Sequence, residues 1–573
     1  MISVPPSNAD LQKIPRKLRR SLLRSRLPVA LAFLIIAIVA MPVLALAVIS
    51  ARSGPETFSH LVSTVLGHAV TTTVMLLAGV GFATALIGAG TAWLIAMCRF
   101  PGRRALELAL VLPLAVPTYI VAYAYVELLD FTGPVQSAIR SIFGYKSGRD
   151  YWFPEIRSLP GAIFVMSAVL YPYVYMTARI LFSMQSAAAL EVSRTLGCGA
   201  WRLFARVALP LARPALAVGV SLVLMECLND IGAVEFFGVR TMTFAIYDTW
   251  LNRGNLAGAA QLALILLVFV VILIVAERRA RGRKGYHGSA RRQQPPAPFR
   301  LSGGRAAAAG LACLLPVLVG FVFPALLLAD YASRRLDQFT SAAVISAGIN
   351  SIVIAVVTAS MAIVIGFVLV YAARLSRSAI VANLGRLAAL GYAVPGTVLA
   401  IGILIPLAAA DNAVDGFMRQ VFGVSTGLLL AGSGFGIVYA CTVRFLAVSF
   451  GTLESAMAKI TDHLDMAART LGRKPRQMLV EVHLPLLRGA LASAWLLVFV
   501  DTMKELSATV LLRPFDFETL ATFVYAQASR GAFEDAAAPA LVIVAIGVIP
   551  LLILLRTGQI EIGDQTLSAA MSR

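Results

Sequence analysis

Glu226 and Asp230 stand in one apolar stretch of this sequence, and Asp501 and Glu505 stand in another, each pair four residues apart. A carboxylate inside a membrane costs roughly 2.5–3.5 kcal/mol on insertion scales, so such groups line a cavity or pair with a cation. The i, i+4 spacing predicts that each pair shares one helix face. Tyr119, Tyr123 and Tyr173 lie in neighbouring apolar stretches and add phenol oxygens. Together these groups are hard oxygen ligands for a polar path. Two plainer readings stand beside that one. Asp501 and Glu505 can pair with Lys504 or with arginines, and aromatic side chains often form belts at membrane interfaces. The other reactive residues build nothing recognisable. Five histidines (His60, His68, His287, His463, His483) show no HExxH spacing, and five cysteines (Cys98, Cys198, Cys227, Cys313, Cys441) show no CxxC or metal-ligand spacing. No nucleophile–base arrangement is visible. No stable metal site is expected, because a conduit must release what it holds.

The elements that carry these residues are membrane helices. The chain has 573 residues, of which 59% are hydrophobic and 14% charged, against about 25% charged in soluble domains. Its mean hydropathy is +0.82. A net charge of +20 raises nucleic-acid binding as a possibility, but the basic residues cluster in short loops beside apolar runs, at Lys13–Arg26 and Glu277–Arg292. That pattern marks cytoplasmic loops, not a phosphate-binding face. No nucleic acid is expected as a partner. The first apolar run is too long for a signal peptide and reads as a first span with the N-terminus inside.

Twelve spans are expected, near residues 27–50, 70–97, 106–128, 160–183, 214–231 and 259–276, then 308–330, 343–372, 387–409, 424–449, 488–511 and 538–556. A Pro-rich basic linker divides them six and six. The expected organisation is a cytoplasmic tail with the first span (1–66), a first domain (67–277), the linker with the seventh span (278–342), a second domain (343–557) and a cytoplasmic tail (558–573). The fold class is an all-α polytopic membrane protein of two parallel six-helix repeats.

The repeat is explicit in the sequence. Arg194–Leu216 and Arg469–Leu491 align without gaps with 11 identities in 23 positions, among them the Arg-Thr-Leu-Gly block and the Leu-Pro-Leu. Val116-Pro117 also matches Val394-Pro395. Each copy falls between the fourth and fifth spans of its half and faces the cytoplasm. In the first copy Leu196, Trp201, Leu203, Phe204 and Val207 have the spacing of an apolar helical stripe, opposed by Arg194, Arg202 and Arg206. Pro210 is expected to end that short helix and to hold Leu209 extended. Such a helix can lie on lipid headgroups; two copies on one face suggest a partner with two equivalent docking sites.

The copies resemble the signature of permease subunits of binding-protein-dependent ABC importers: Glu-Ala-Ala, three residues, Gly, nine residues, then hydrophobic-x-Leu-Pro. Gly197 to Pro210 and Gly472 to Pro485 keep its spacing of thirteen. Glu191-Val192-Ser193 and Met466-Ala467-Ala468 depart from its opening triplet, with Asp465 one place before the second. The resemblance implies the type I importer permease fold. It also implies that each insert is a coupling helix seated on a cytoplasmic ATPase dimer, through Glu191, Thr195, Leu196, Gly197, Trp201, Phe204 and Pro210 in one copy and Asp465, Thr470, Leu471, Gly472 and Pro485 in the other. The sequence holds no GxxxxGK[ST] loop, so ATP is expected to be used by that partner and no cofactor to be bound here. The fused arrangement is similar to the ferric-iron permeases, whose substrate arrives on an extracytoplasmic binding protein, and hard oxygen ligands suit Fe³⁺. Thiamine, phosphonate and other small-solute permeases share the plan, and a proton-coupled secondary transporter is the alternative from another class. The expected setting is the lipid of a bacterial inner membrane, with both termini cytoplasmic.

Overall fold

The computed structural model describes residues 16–52, 55–184, 192–193, 195–196, 198–281, 298–376 and 378–571. The basic N-terminal tail before residue 16, Glu191, Arg194, Gly197 and most of the Pro-rich linker lie outside them. Among the described residues, eleven helices are long and apolar enough to cross a membrane. The pair Arg103–Ala115 and Thr118–Phe143, bent by 92°, makes a twelfth if counted as one span. The chain is an all-α polytopic membrane protein. Among the described residues the one strand pairing is short and parallel, Cys98–Arg99 against Phe299–Arg300.

The chain divides into two compact units that cut across both repeats. The smaller holds residues 1–45, 353–394 and 402–502; the larger holds 46–352, 395–401 and 503–573. In the smaller unit Ala32, from the first long helix, is buried among Leu369, Val381, Leu446, Phe450 and Leu487. The Tyr439 hydroxyl donates to the Ile38 carbonyl in the same unit. In the larger unit the helix Gly303–Val317 supplies Ala306, Ala309, Cys313 and Val317 to a core that includes Trp93, Tyr171, Tyr175 and Phe182. Each core therefore contains a helix encoded at the front of the other half.

Prolines shape these helices in a way that departs from the sequence expectation. Leu209 is helical (φ −64°, ψ −46°), and the helix runs from Ala200 to Asn229 through a π-turn at Phe204–Ala208. Leu209 N–H bonds back to the Phe204 carbonyl, five residues away. Phe323 before Pro324 and Leu484 before Pro485 do the same, to Leu318 and Leu479. Proline lacks an N–H, and its ring clashes with the carbonyl four residues back. One i→i+5 turn just before it widens the helix and shifts that carbonyl aside. The proline is absorbed, and the chain does not break there.

Candidate functional site

Two other prolines do break their helices. Val116 (φ −99°, ψ 123°) and Val394 (φ −80°, ψ 120°) are extended, as residues before proline are pushed to be. A new helix starts just after each, at Thr118 and at Gly396. The expected spans 106–128 and 387–409 are thus each interrupted at the matched Val-Pro pair. The helix Leu209–Asn229 also stops, with Asp230 leaving it at ψ 107°, and its counterpart Leu484–Met503 stops short of Glu505. This corrects the expectation that Glu226 with Asp230, and Asp501 with Glu505, share one helix face: in each pair the second carboxylate lies beyond the helix end.

These interruptions meet in the larger unit. Asp230 Oδ1 accepts the Ala233 N–H at 2.8 Å, and Glu505 Oε1 accepts the Ala508 N–H at 3.0 Å. Each carboxylate thereby caps the turn that follows it, in the manner of a helix N-cap. The Thr118 hydroxyl donates to Asp230 Oδ2. Asn229 is held by two groups from the second half: its Oδ1 accepts the Gly396 N–H at 2.7 Å, and its carbonyl accepts the Ser507 hydroxyl. A Cβ at Gly396 would stand 2.9 Å from both Glu505 Oε1 and the Ala508 nitrogen, and one at Gly232 would stand 2.7 Å from Tyr119 Cβ. Only glycine allows those approaches. Asn229, Asp230, Glu505 and Ser507 are all buried. The result is a closed polar knot between the two repeats.

Tyr119 and Tyr123 belong to this region. Both are buried, and their hydroxyls, like Thr397 Oγ1, have no hydrogen-bond partner among the described residues. Tyr123 stacks on Phe533 at 5.8 Å. Glu226 is half-buried one turn before Asp230. Tyr173 is not brought to the knot: its carbonyl faces Gly219, roughly 15 Å down the helix at 1.5 Å per residue. Asp501 falls in the smaller unit. Among the described residues no three His, Cys, Asp or Glu side chains gather closely enough to hold a metal ion. Sequence reasoning missed Thr118, Asn229, Gly396 and Ser507; the matched Val-Pro pairs pointed to the place, but not to the partners.

The two inserts are built alike and anchored differently. In the second, the helix Asp462–Thr470 ends in a Schellman cap, with Gly472 at φ +76°, its N–H on the Arg469 carbonyl and the Arg473 N–H on the Ala468 carbonyl, both 3.0 Å. The first copy makes the matching bond from Cys198 N–H to the Ser193 carbonyl at 3.1 Å, across Gly197. Thr195 and Thr470 each donate a side-chain bond at 2.8 Å to the carbonyl three residues back. Leu196 and Leu471, just before each glycine, are 78% and 80% exposed. The expected apolar stripe splits: Leu203 is buried and Phe204 and Val207 pack on the core, whereas Leu196 and Trp201 face outward. Pro485 is exposed and Pro210 half-buried. Phe204 lies 5.2 Å from Trp93 and 5.7 Å from Trp201, ring to ring.

Asp465 is not on the outer face. It is buried, and Arg374 grips it with both arms of its guanidinium, Nε to Oδ2 and Nη2 to Oδ1, each at 3.0 Å. His483 Nε2 lies 2.9 Å from Oδ1. Burial alone would raise the Asp465 carboxyl, but the hydrogen bonds and charge of Arg374, with those of His483, outweigh it and hold it below the usual carboxylate range.

Comparison with known proteins fits this geometry. Residues 86–281 match the family described as binding-protein-dependent transport system inner membrane component. The Fe(3+)-transport system permease protein FbpB 2 of Haemophilus influenzae is 24% identical over 498 residues, covering 85% of this chain and 90% of that protein. The molybdenum transport system permease protein ModB of Escherichia coli is 28% identical over 180 residues, 30% of this chain and 75% of its own length. A putative 2-aminoethylphosphonate transport system permease protein, PhnU of Salmonella choleraesuis, is 26% identical over 241 residues, 40% of this chain and 82% of its own length.

Proposed function

We propose that this chain, a permease of the binding-protein-dependent ABC importers, carries ferric iron across the bacterial inner membrane. The observation that carries the substrate reading is extent: the likeness to an Fe(3+) permease spans both halves, 85% of the chain. The polar knot supports it, because Asp230, Glu505 and the hydroxyls of Thr118, Tyr119 and Tyr123 are hard oxygen donors suited to Fe³⁺ or its hydrated or chelated forms. Glu226 extends that path by one helical turn, and neither Asp501, which falls in the smaller unit, nor Tyr173 is counted in it. In this reading the knot is the closed state of the pathway. Opening breaks the Asn229–Gly396 bond between the repeats and exposes both carboxylates to the passing ion. The permease itself hydrolyses nothing; a cytoplasmic ATPase dimer uses the ATP and docks on the exposed faces around Leu196–Trp201 and Leu471–Gly472, and an extracytoplasmic binding protein delivers the ion. Both termini are cytoplasmic.

The test is uptake of radioactive ferric iron into proteoliposomes holding this chain, its co-encoded ATPase and its binding protein, with and without internal ATP. Uptake that requires both ATP and the binding protein supports the reading. ATP hydrolysis stimulated by the binding protein without iron entry overturns the substrate and directs attention to molybdate and 2-aminoethylphosphonate. Uptake that persists without the ATPase and collapses with the proton gradient overturns the coupling as well.

A further inference from the structure

Four elements converge on Asp465. Arg374 sits at the end of the helix Ala342–Ser376. Besides gripping Asp465, it donates from Nη1 to the Met457 carbonyl and from Nη2 to the Ile460 carbonyl, each at 3.0 Å. It thus closes the carboxyl end of the helix Phe435–Ala458, where carbonyls lack helical partners and a cation is favoured. Asp465 belongs to the insert helix. His483 belongs to the π-turn Leu479–His483, which runs directly into the membrane helix Leu484–Met503; it is fully buried, with its ring 5.7 Å from Tyr371 at 68°. One carboxylate thus ties the insert to three membrane helices in geometry that is fixed and bidentate.

The first repeat does not carry the same three residues in its sequence. The 275-residue offset that aligns the two inserts sets Arg99 against Arg374, but Leu190 against Asp465 and Ala208 against His483. The arginine is kept, and both its partners are apolar. Arg99 is exposed and borders an open basic cavity with Arg103 and Arg104.

We propose that Arg374, Asp465 and His483 are positioning residues that make the second insert a rigid lever. When a docked ATPase displaces that insert, the helices Ala342–Ser376 and Leu484–Met503 move with it as one body. The inference rests on the docking reading above, and its test reads that reading separately.

The experiment uses the full chain with its ATPase, the five native cysteines replaced, and spin labels at Leu471 on the insert and Val364 on the long helix, both exposed. The label separation is measured in the nucleotide-free and vanadate-trapped states, in wild type and in His483→Leu, Asp465→Asn and His483→Gln, the last able to keep a side-chain donor to Asp465. The expected wild-type separation is the same in both states within about 2 Å, the scale of ordinary interface helix shifts. His483→Leu and Asp465→Asn should shift or broaden it beyond that on trapping, and His483→Gln should restore it, with the ATPase still co-purifying in all four. A wild-type separation that changes as much as in His483→Leu, or a His483→Leu variant that behaves as wild type, overturns the lever. Loss of the ATPase only in the variants overturns it too, since the trio then builds the docking surface itself. A wild-type chain that never retains the ATPase overturns the docking reading first, before any variant is read.

Discussion

The two inserts share a sequence signature and a capping geometry, yet among the described residues one is packed chiefly by rings and the other is clamped by charges as well. In the first repeat Phe204 packs between Trp201 and Trp93, and Trp93 meets Phe182 edge-on at 5.6 Å. In the second, Arg374 and His483 hold Asp465, and the His483 ring meets Tyr371, which stacks on Phe367 at 5.7 Å. Apolar packing is non-directional and tolerates sliding; a bidentate ion pair fixes direction and fails abruptly when one member is lost. A doubled motif therefore does not imply doubled mechanics.

Substitutions can break this comparison in graded steps. The largest effect is expected for Asp465→Ala, which strands the Arg374 guanidinium and should cost about 3–5 kcal/mol. Thermal unfolding of the detergent-solubilised chain would measure it, and a loss under 1 kcal/mol would mean the clamp is decorative. The same carboxyl sets an acid limit. Its value in the folded chain is lowered, so its stabilisation is complete above the ordinary aspartate value of about 3.9 and is lost as pH falls through the lowered one. Stability should accordingly be insensitive to this group from pH 8 to 5, and Asp465→Asn should remove its share of the decline at more acidic pH. Next comes Phe204→Ala, which should cost about 2–3 kcal/mol, less than a fully buried phenylalanine; a loss equal to that of Asp465→Ala would erase the contrast between the inserts. Gly472→Ala forces a side chain into the left-handed region, at about 1–2 kcal/mol, and should fray the end of the insert helix in hydrogen exchange. The smallest change in stability, within about 0.5 kcal/mol, belongs to the exposed Leu196→Ser and Leu471→Ser. For these the measurement is ATPase retention, which should fall in both.

What the sequence made legible follows from what is local. Apolar runs reveal the spans, and the preserved spacing from Gly197 to Pro210 and from Gly472 to Pro485 reveals the paired inserts. Proline was a poorer guide, because its effect depends on what the preceding turn can do: at Pro210 and Pro485 a π-turn absorbs it, and at Pro117 and Pro395 the valine before it opens the helix. The clamp was hidden, since Arg374 and Asp465 lie 91 residues apart and Asp465 and His483 lie 18 apart. The polar knot was half hidden. Its carboxylates stood out as charges in oil, but Asn229 gained meaning only when Gly396, 167 residues away, was found against it.

The exchange of front helices between the two cores bears on how the chain is made. The first long helix leaves the ribosome and enters the bilayer before any of the residues it packs on exist: Ala32 waits for Leu369, Phe450 and Leu487. During synthesis it must therefore persist in lipid as an unpaired span, which its high hydropathy of 3.0 permits. The first half, for its part, completes its core only when the helix Gly303–Val317 has followed it through the linker. Assembly of neither core can finish at the midpoint of translation, and a chain cut in the linker would have to trade helices between two fragments to recover the native packing.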